Sequence, residues 1–243
     1  MNDQTQNLGT LFIVATPIGN LGDITLRAIE TLKSVDIVAC EDTRVSKKLL
    51  DHLEIEKKMM SLHQHSEEEK YDIVLRALER GLNIAYITDG GTPGISDPGQ
   101  ELVARIKNQE LGIKIIPVPG PSAVAAAISV SGMVEKEFYF AGFLPKKKGR
   151  QTKFKLLTLL NCPIVIYESA MRIEKTFKDI LEYFGENTEV FIAREMTKMF
   201  EEYWGGNIEE VISDIKTHTL KGEIALIVRK VPSRKVEKCK KKS

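Results

Sequence analysis

The chain has 243 residues, 42% of them hydrophobic, and its 35 basic and 34 acidic side chains leave a formal net charge of +1. This apolar content is enough for a packed core and excludes a wholly disordered chain. No apolar run reaches the roughly 20 residues of a membrane span, and no secretion signal precedes the first strand. Three isolated cysteines without CxxC spacing favour a reducing compartment, so we expect a cytoplasmic protein without membrane contacts.

Short β-branched apolar runs alternate with segments of helical period through the first half of the chain. The runs predict buried strands at residues 11–15, 35–40, 84–88 and 113–118. Helix starts are indicated by Asp23, by a capping box of Ser66 with Glu69, and by Asp97 followed by a proline. Such alternation predicts a mostly parallel sheet covered on both faces.

Three prolines interrupt this pattern in the segment Pro117-Val118-Pro119-Gly120-Pro121. Beyond it, the pattern predicts strands at residues 138–143, 163–167, 189–194 and 223–228, a further segment at 200–204, and helices at 122–131, 152–160, 171–184 and 208–216. We therefore expect an α/β protein of two α/β domains, residues 9–118 and 119–231, with a ligand-binding cleft between them. The basic tail, residues 232–243, is predicted to be disordered.

The near-zero net charge hides an asymmetry between the two halves. Residues 1–120 carry 13 basic and 18 acidic side chains, whereas residues 121–243 carry 22 basic and 16 acidic ones. Part of the basic excess lies in an acid-free stretch, residues 138–167, which contains Lys146, Lys147, Lys148 and Arg150. Such a cluster is either a solvated loop or a site for a phosphate-rich partner.

Several familiar sites are absent from the sequence. It contains no GxxxxGK[ST] phosphate loop, no GxGxxG fingerprint after the first strand and no GxSxG nucleophile motif. His63 and His65 could share one face of an extended segment, but no further ligand is spaced to complete a metal site with them. We expect no metal.

Glycine-rich and charged loops follow all four predicted strands of the first half. Residues 16–23 contain two glycines and a proline, and residues 89–99 contain four glycines, two prolines and two aspartates. Residues 41–44 form a charged cluster, and residues 119–123 combine small side chains with a helix start. Because open α/β sheets bind ligands at the carboxyl ends of their strands, these loops predict a small-ligand site.

These loops also carry a family resemblance. The chain resembles the tetrapyrrole methylase superfamily, the class III S-adenosylmethionine-dependent methyltransferases, and within it the bacterial 16S rRNA (cytidine-2′-O-)-methyltransferases. The similarity covers about residues 10–230, with the motifs in the same order. In this sequence the matching stretches are residues 15–25, 41–44, 89–93, 96–99, 119–122, 142–145, 167–169, 193–198 and 221–223.

The resemblance implies a homodimer that binds S-adenosylmethionine in the cleft and methylates a cytidine ribose in 16S rRNA of the small ribosomal subunit. It assigns the methionine part and the ribose of the cofactor to Pro17, Asp89, Gly90, Gly91, Thr92, Pro93, Ile95 and Ser96. It surrounds the rest of the cofactor with Ser122, Ala123, Tyr167, Ala193 and Ala225.

A ribose 2′-hydroxyl is a poor nucleophile until a base removes its proton or a cation polarises its oxygen. Charged side chains at predicted strand ends are the candidates for these roles: Asp42, Arg44, Asp89, Glu168, Arg194, Glu195 and Lys198. For each of them, ion pairing between the domains is an equal alternative. Lys146, Lys147, Lys148 and Arg150 would bind RNA phosphates.

Two other functions fit the same sequence. One is a methyltransferase of this fold that acts on a tetrapyrrole or another small substrate, for which isolated arginines would be expected rather than a lysine cluster. The other is a non-catalytic RNA-binding module, which the intact glycine and aspartate loops disfavour.

Overall fold

The computed structural model describes residues 7–62, 68–218 and 221–231. The chain divides into two compact units, residues 1–126 and 127–243. The boundary expected from the prolines, between residues 118 and 119, lies a few residues before this division and stays a prediction. Within the described ranges, no helix is both long and apolar enough to cross a membrane.

The first unit contains a parallel sheet, as the sequence predicts. Its strands are β1 (Thr10–Val14), β2 (Ile37–Cys40), β3 (Lys58–Ser61), β4 (Ile84–Ile87) and β5 (Lys114–Val118). They are arranged in the order β3-β2-β4-β1-β5, and every neighbouring pair is parallel.

Helices cover both faces of this first sheet. They are α1 (Leu26–Ser34), α2 (Thr43–His52), α3 (Glu68–Glu79) and α4 (Gly99–Asn108). On one face Leu11 and Tyr86 pack with side chains of α3 and α4, and on the other Val14 and Val38 pack with those of α1 and α2. Because all five strands are parallel, their carboxyl ends lie at one edge of the sheet, and the glycine-rich and charged loops follow from that edge.

The two edge strands of this sheet are unusual in sequence, and one of them was not predicted. β3 was not predicted, because its Lys-Met-Met-Ser sequence lacks β-branched residues, and it lies at the edge of the sheet. β5 includes Pro117, as the strand predicted at residues 113–118 does. Since β5 is the opposite edge strand, the missing N–H of this proline removes nothing from the centre of the sheet.

The predicted helix starts need correction. The N-cap of α1 is Thr25, whose hydroxyl accepts the Ala28 N–H at 3.1 Å, while Asp23 ends a short 3₁₀ turn. The residue before α4 is Pro98 rather than the predicted Asp97. Ser66, the expected cap of α3, lies outside the described residues.

The second unit contains a mixed sheet. Its strands are β6 (Tyr139–Phe143), β7 (Ile164–Ser169), β8 (Thr188–Arg194), β9 (Glu202–Asn207) and β10 (Glu223–Lys230), in the order β6-β7-β10-β8-β9. Only the pair β6–β7 is parallel; the other three pairs are antiparallel. One face packs against α6 (Arg150–Leu157), α7 (Ala170–Phe184) and α8 (Ile208–Asp214). α5 (Ala123–Ser131) spans the division between the two units.

Candidate functional site

Hydrogen bonds join three of the loops at the strand ends of the first unit. Thr16 and Gly91 exchange backbone hydrogen bonds of 3.0 and 2.9 Å, so the loop after β1 pairs with the loop after β4. The Thr92 hydroxyl donates to the Pro121 carbonyl at 2.9 Å, which adds the loop after β5. The predicted residues Pro17, 89–96, Ser122 and Ala123 therefore belong to one connected set of loops.

Two glycines lie where these loops approach each other. Gly91 has a φ of +91°, a backbone conformation that side chains disfavour. A Cβ on Gly90 would lie 3.2 Å from the Pro17 carbonyl oxygen. The two glycines thus let the loop after β4 lie against the loop after β1.

Asp97 stabilises the conformation of the loop after β4, residues 89–99. Its carboxylate accepts the N–H groups of Gly94, Ile95 and Gly99 at 2.9, 3.0 and 2.8 Å. The Ser96 backbone is left-handed, with a φ of +68°. The sequence prediction treated Asp97 as a helix cap; its larger role is to organise the loop, which prepares its backbone for a ligand.

Carboxylates gather at the ends of β2 and β4. The Asp42 N–H donates to Asp89 at 3.2 Å, and the Asp42 carboxylate accepts from the backbone N–H and the guanidinium of Arg44. The hydrogen bonds from Arg44 hold the pKa of Asp42 at about 2. Burial raises the pKa of Asp89, and burial together with the charges of Asp89 and Asp97 raises that of Glu41.

Glu41 was not selected from the sequence. The sequence feature that could have identified Glu41 is its position directly after a fully buried strand and beside Asp42, which is a predicted catalytic residue. Since a carboxyl group of raised pKa is the better base near neutral pH, Asp89 and Glu41 are better suited to accept a proton than Asp42.

In the second unit, the register of the strands places the predicted cofactor residues in one row. Ala225 of β10 lies between Tyr167 of β7 and Ala193 of β8 as their direct cross-strand partner. Phe143 of β6 and Tyr203 of β9 extend the row on either side. The two alanines are buried between aromatic side chains of the same row.

Glu168 lies on the other face of the same sheet, so its predicted catalytic role is wrong. Its side chain has no exposed surface and accepts hydrogen bonds from the Ser169 N–H and the Thr176 hydroxyl at 2.9 and 2.8 Å. The Arg172 guanidinium lies 3.1 Å and that of Arg150 4.0 Å from the carboxylate. Glu168 is therefore the centre of a buried ion network.

Arg150 is also part of this network, which contradicts its prediction as an RNA-binding residue. Its side chain is only 5% exposed. It donates to Asp179 at 2.7 Å, to the Thr176 hydroxyl at 2.9 Å and to the Pro145 carbonyl at 3.2 Å. Every nitrogen of the guanidinium is engaged, and none is left for a phosphate.

Arg194 has a structural role as well, against the catalytic one predicted for it. The buried guanidinium donates to Glu202, to the Lys221 carbonyl and to the Phe200 carbonyl at 3.0, 3.2 and 2.9 Å. It thereby joins β9 and two loop segments at the end of β8.

Glu195 and Lys198 form an ion pair of 2.8 Å, and Lys198 also contacts Glu223 at 2.9 Å. Burial opposes both charges, but the hydrogen bonds of the pair lower the pKa of Glu195 and raise that of Lys198. Lys198 is therefore an ammonium group, which suits the cation rather than the base of the two roles considered from the sequence.

Lys146, Lys147 and Lys148 are exposed on the loop between β6 and α6. In the part of the chain that the structure describes, none of the three forms an ion pair with a carboxylate. They are thus available to an anionic ligand, in contrast to Arg150.

No group of three His, Cys, Asp or Glu side chains within the described ranges is arranged to hold a metal ion. His63 and His65 lie outside those ranges.

Solved structures share this architecture of two α/β units. The uroporphyrin-III-C-methyltransferase of Thermus thermophilus aligns with a TM-score of 0.65 at 19% identity, covering 91% of this chain and 94% of that one. The fold is therefore that of these tetrapyrrole methyltransferases.

Sequence comparisons identify the family. Residues 10–212 match the tetrapyrrole (corrin/porphyrin) methylases. Two relatives, both called ribosomal RNA small subunit methyltransferase I, are those of Vibrio cholerae, 45% identical over 90% of this chain and 76% of the relative, and of Thermotoga maritima, 42% identical over 91% and 98%. The chain belongs to the tetrapyrrole methylase family.

Proposed function

We propose that this protein is an rRNA methyltransferase that transfers a methyl group from S-adenosylmethionine to the ribose 2′-oxygen of a cytidine in 16S rRNA of the small ribosomal subunit. The observation that carries the proposal is the identity of more than 40% to the small-subunit rRNA methyltransferases, over most of both chains. The specificity for the 2′-oxygen of a cytidine follows from the motif resemblance.

The residues of the first unit fit the cofactor chemically. S-adenosylmethionine carries positive charge on its sulfonium and its ammonium group, and the strand ends of this unit present Glu41, Asp42 and Asp89. The connected loops of Pro17, residues 89–96, Ser122 and Ala123 supply backbone groups for its uncharged parts. In the second unit, Tyr167, Ala225 and Ala193, which the resemblance assigns to the cofactor, are direct cross-strand neighbours.

The chain must also prepare the acceptor. The bound cofactor supplies an electrophilic methyl group: the carbon–sulfur bond breaks as the carbon–oxygen bond forms, and the sulfur leaves uncharged. The protein aligns the two reactants and accepts the hydroxyl proton. Asp89 and Glu41, with their raised pKa values, are the proton acceptors we infer, and Lys198 as an ammonium group can stabilise negative charge on oxygen.

The lysine loop supports an RNA substrate. Three exposed ammonium groups within three residues concentrate positive charge in one place, which suits the phosphate backbone of a nucleic acid better than the separate carboxylates of a tetrapyrrole. We further propose a homodimer in the cytoplasm, where small ribosomal subunits are assembled; equilibrium sedimentation tests the dimer.

Small ribosomal subunits that lack the modification test the function directly. Incubation with labelled S-adenosylmethionine is expected to label 16S rRNA at one cytidine. A methyl on the 2′-oxygen protects the following phosphodiester from alkali, so mapping by alkaline hydrolysis separates ribose from base methylation. Label on the base, or none on RNA, contradicts the proposal. Uroporphyrinogen is the parallel substrate, and its methylation would favour the small-molecule alternative.

The proton acceptors are tested by Glu41→Gln and Asp89→Asn. Loss of the acceptor lowers kcat and removes the acidic limb of the pH profile, whereas cofactor affinity from calorimetry separates a chemical role from a binding role. A pH profile unchanged in both variants would contradict the assignment.

A further inference from the structure

Phe143 is an exposed aromatic side chain at the end of β6, close to the exposed lysines of the following loop. It ends β6 and exposes 59% of its surface, while the next residue, Leu144, is buried. A single exposed apolar side chain is common on protein surfaces, but exposed apolar surface beside polar groups marks interaction sites.

A β-bulge sets the direction of the ring. The pairing of β6 with β7 shifts between Phe140 and Gly142, where Gly142 has a φ of +62°. The extra residue brings Phe140 and Phe143 to the same face. Tyr167 contacts both in edge-to-face geometry, with ring centroids 4.9 and 5.7 Å apart. The Phe143 ring is thus oriented by its neighbour and not free to collapse onto the core.

The backbone behind Phe143 is held by the buried network of Glu168. Arg172 donates to the Leu144 carbonyl at 2.6 Å, and Arg150 donates to the Pro145 carbonyl at 3.2 Å. Both guanidinium groups face the Glu168 carboxylate. The two arginines that face the buried Glu168 therefore fix Leu144 and Pro145, which separate the aromatic ring from the lysines.

The lysines follow at once, since Lys146 is only three residues beyond Phe143. An aromatic face next to flexible positive charge is the combination that binds single-stranded nucleic acid, where bases stack on rings and ammonium groups neutralise phosphates. We propose that Phe143 is a stacking platform for an unpaired base of the RNA substrate. This inference rests on the proposed function and identifies a substrate contact within it.

The position of the ring agrees with this role. Phe143, Tyr167 and Ala225 are direct neighbours on three adjacent strands, which lie about 4.8 Å apart. A base on Phe143 is therefore within one nucleotide's reach of the row to which the cofactor is assigned. A target cytidine that is displaced from paired RNA needs such a platform, because its lost stacking must be replaced.

The test compares Phe143→Ala, Phe143→Leu and Phe143→Trp in the full-length protein. With unmodified small ribosomal subunits, the alanine and leucine variants are expected to raise KM roughly 5- to 100-fold, the range of a lost base stack. The tryptophan variant is expected to keep the wild-type KM. The Kd for S-adenosylmethionine stays at the wild-type value. Phe138→Ala, which removes another exposed ring beside the opposite end of β6, is the matched control and leaves KM unchanged.

A direct measurement of RNA binding makes the test independent of methyltransferase activity. A short single-stranded RNA is titrated with wild type and with Phe143→Ala, and equal affinities overturn the inference even if wild type fails to methylate subunits. Wild-type KM in Phe143→Ala, or a leucine variant equal to wild type, also overturns it. A change of oligomeric state in Phe143→Ala would show instead that the ring contacts another protein chain, and the inference would fail.

Discussion

Replacement of Arg150 by alanine separates the two interpretations of the basic cluster. The sequence groups Arg150 with Lys146, Lys147 and Lys148 as phosphate ligands, whereas the structure places its guanidinium among Asp179, Thr176 and Pro145 in a site that is 5% exposed. We therefore expect Arg150→Ala to reduce stability, and alanine at Lys147 to leave it unchanged.

The expected magnitude follows from what the substitution leaves behind. Breaking a buried ion pair costs about 3–5 kcal/mol when an uncompensated charge remains. Here Glu168 keeps Arg172 and the Thr176 hydroxyl, and Asp179 is 18% exposed and can recruit water. The free energy of unfolding is thus expected to fall by about 3 kcal/mol in Arg150→Ala, the lower end of this range. In Lys147→Ala it should change by no more than about 0.5 kcal/mol.

Urea denaturation measures this difference, and the protein carries its own probe. Its single tryptophan, Trp204, packs at the edge of the core that contains Phe154 of α6. With a urea dependence of about 3 kcal/mol per molar, the midpoint of its fluorescence transition should fall by about 1 M in Arg150→Ala. A midpoint equal to that of Lys147→Ala, together with weaker RNA binding, would refute the structural role and restore the interpretation from the sequence.

Three other predictions use different parts of the molecule. Alanine at Lys146, Lys147 and Lys148 together should weaken RNA binding and reduce the slope of its salt dependence by about 2 to 3, with cofactor affinity unchanged in calorimetry; an unaltered slope contradicts the phosphate contacts. Gly222→Ala should destabilise by about 1–3 kcal/mol, because its φ of +87° disfavours a side chain and the new Cβ would overlap the Glu195 carboxylate; unchanged urea denaturation would exclude this clash. His218 and then Arg194 lower the pKa of Glu202 by hydrogen bonding, so this stabilisation is present above the ordinary glutamate pKa of about 4.3 and is lost as the pH falls through the lower folded value. Glu202→Gln should therefore flatten the stability profile between about pH 5 and pH 3, and a profile as steep as wild type would show that other carboxylates dominate.

Much of the first unit could be predicted from the sequence because its signals are local. Buried parallel strands are continuous apolar runs, and loops rich in glycine, proline and aspartate mark where they end. The Thr16–Gly91 pairing could not be predicted, since it joins residues 75 positions apart through backbone groups that every residue carries. The edge strand β3 has no such local signal, because an edge position demands little of its side chains.

The second unit required information that only the strand order supplies. Tyr167, Ala225 and Ala193 become neighbours because β10, the last strand, inserts between β7 and β8. The placement of Glu168 was nevertheless available in the sequence. Alternation along β7 puts Ile164, Ile166 and Glu168 on one face and Tyr167 on the other, so both Glu168 and Tyr167 could not face the same ligand.

The basic cluster shows why residue type alone does not identify a nucleic-acid contact. Gly149 precedes α6, and from there Arg150, Phe154 and Leu157 follow the helical period onto the core. The three lysines come before the helix and have no such constraint. An arginine suits the buried position because its planar guanidinium can satisfy several acceptors at once, which an ammonium group cannot do in the same geometry. The four charges are therefore divided by the helix start: one fixes the loop from within, and three remain exposed to solvent.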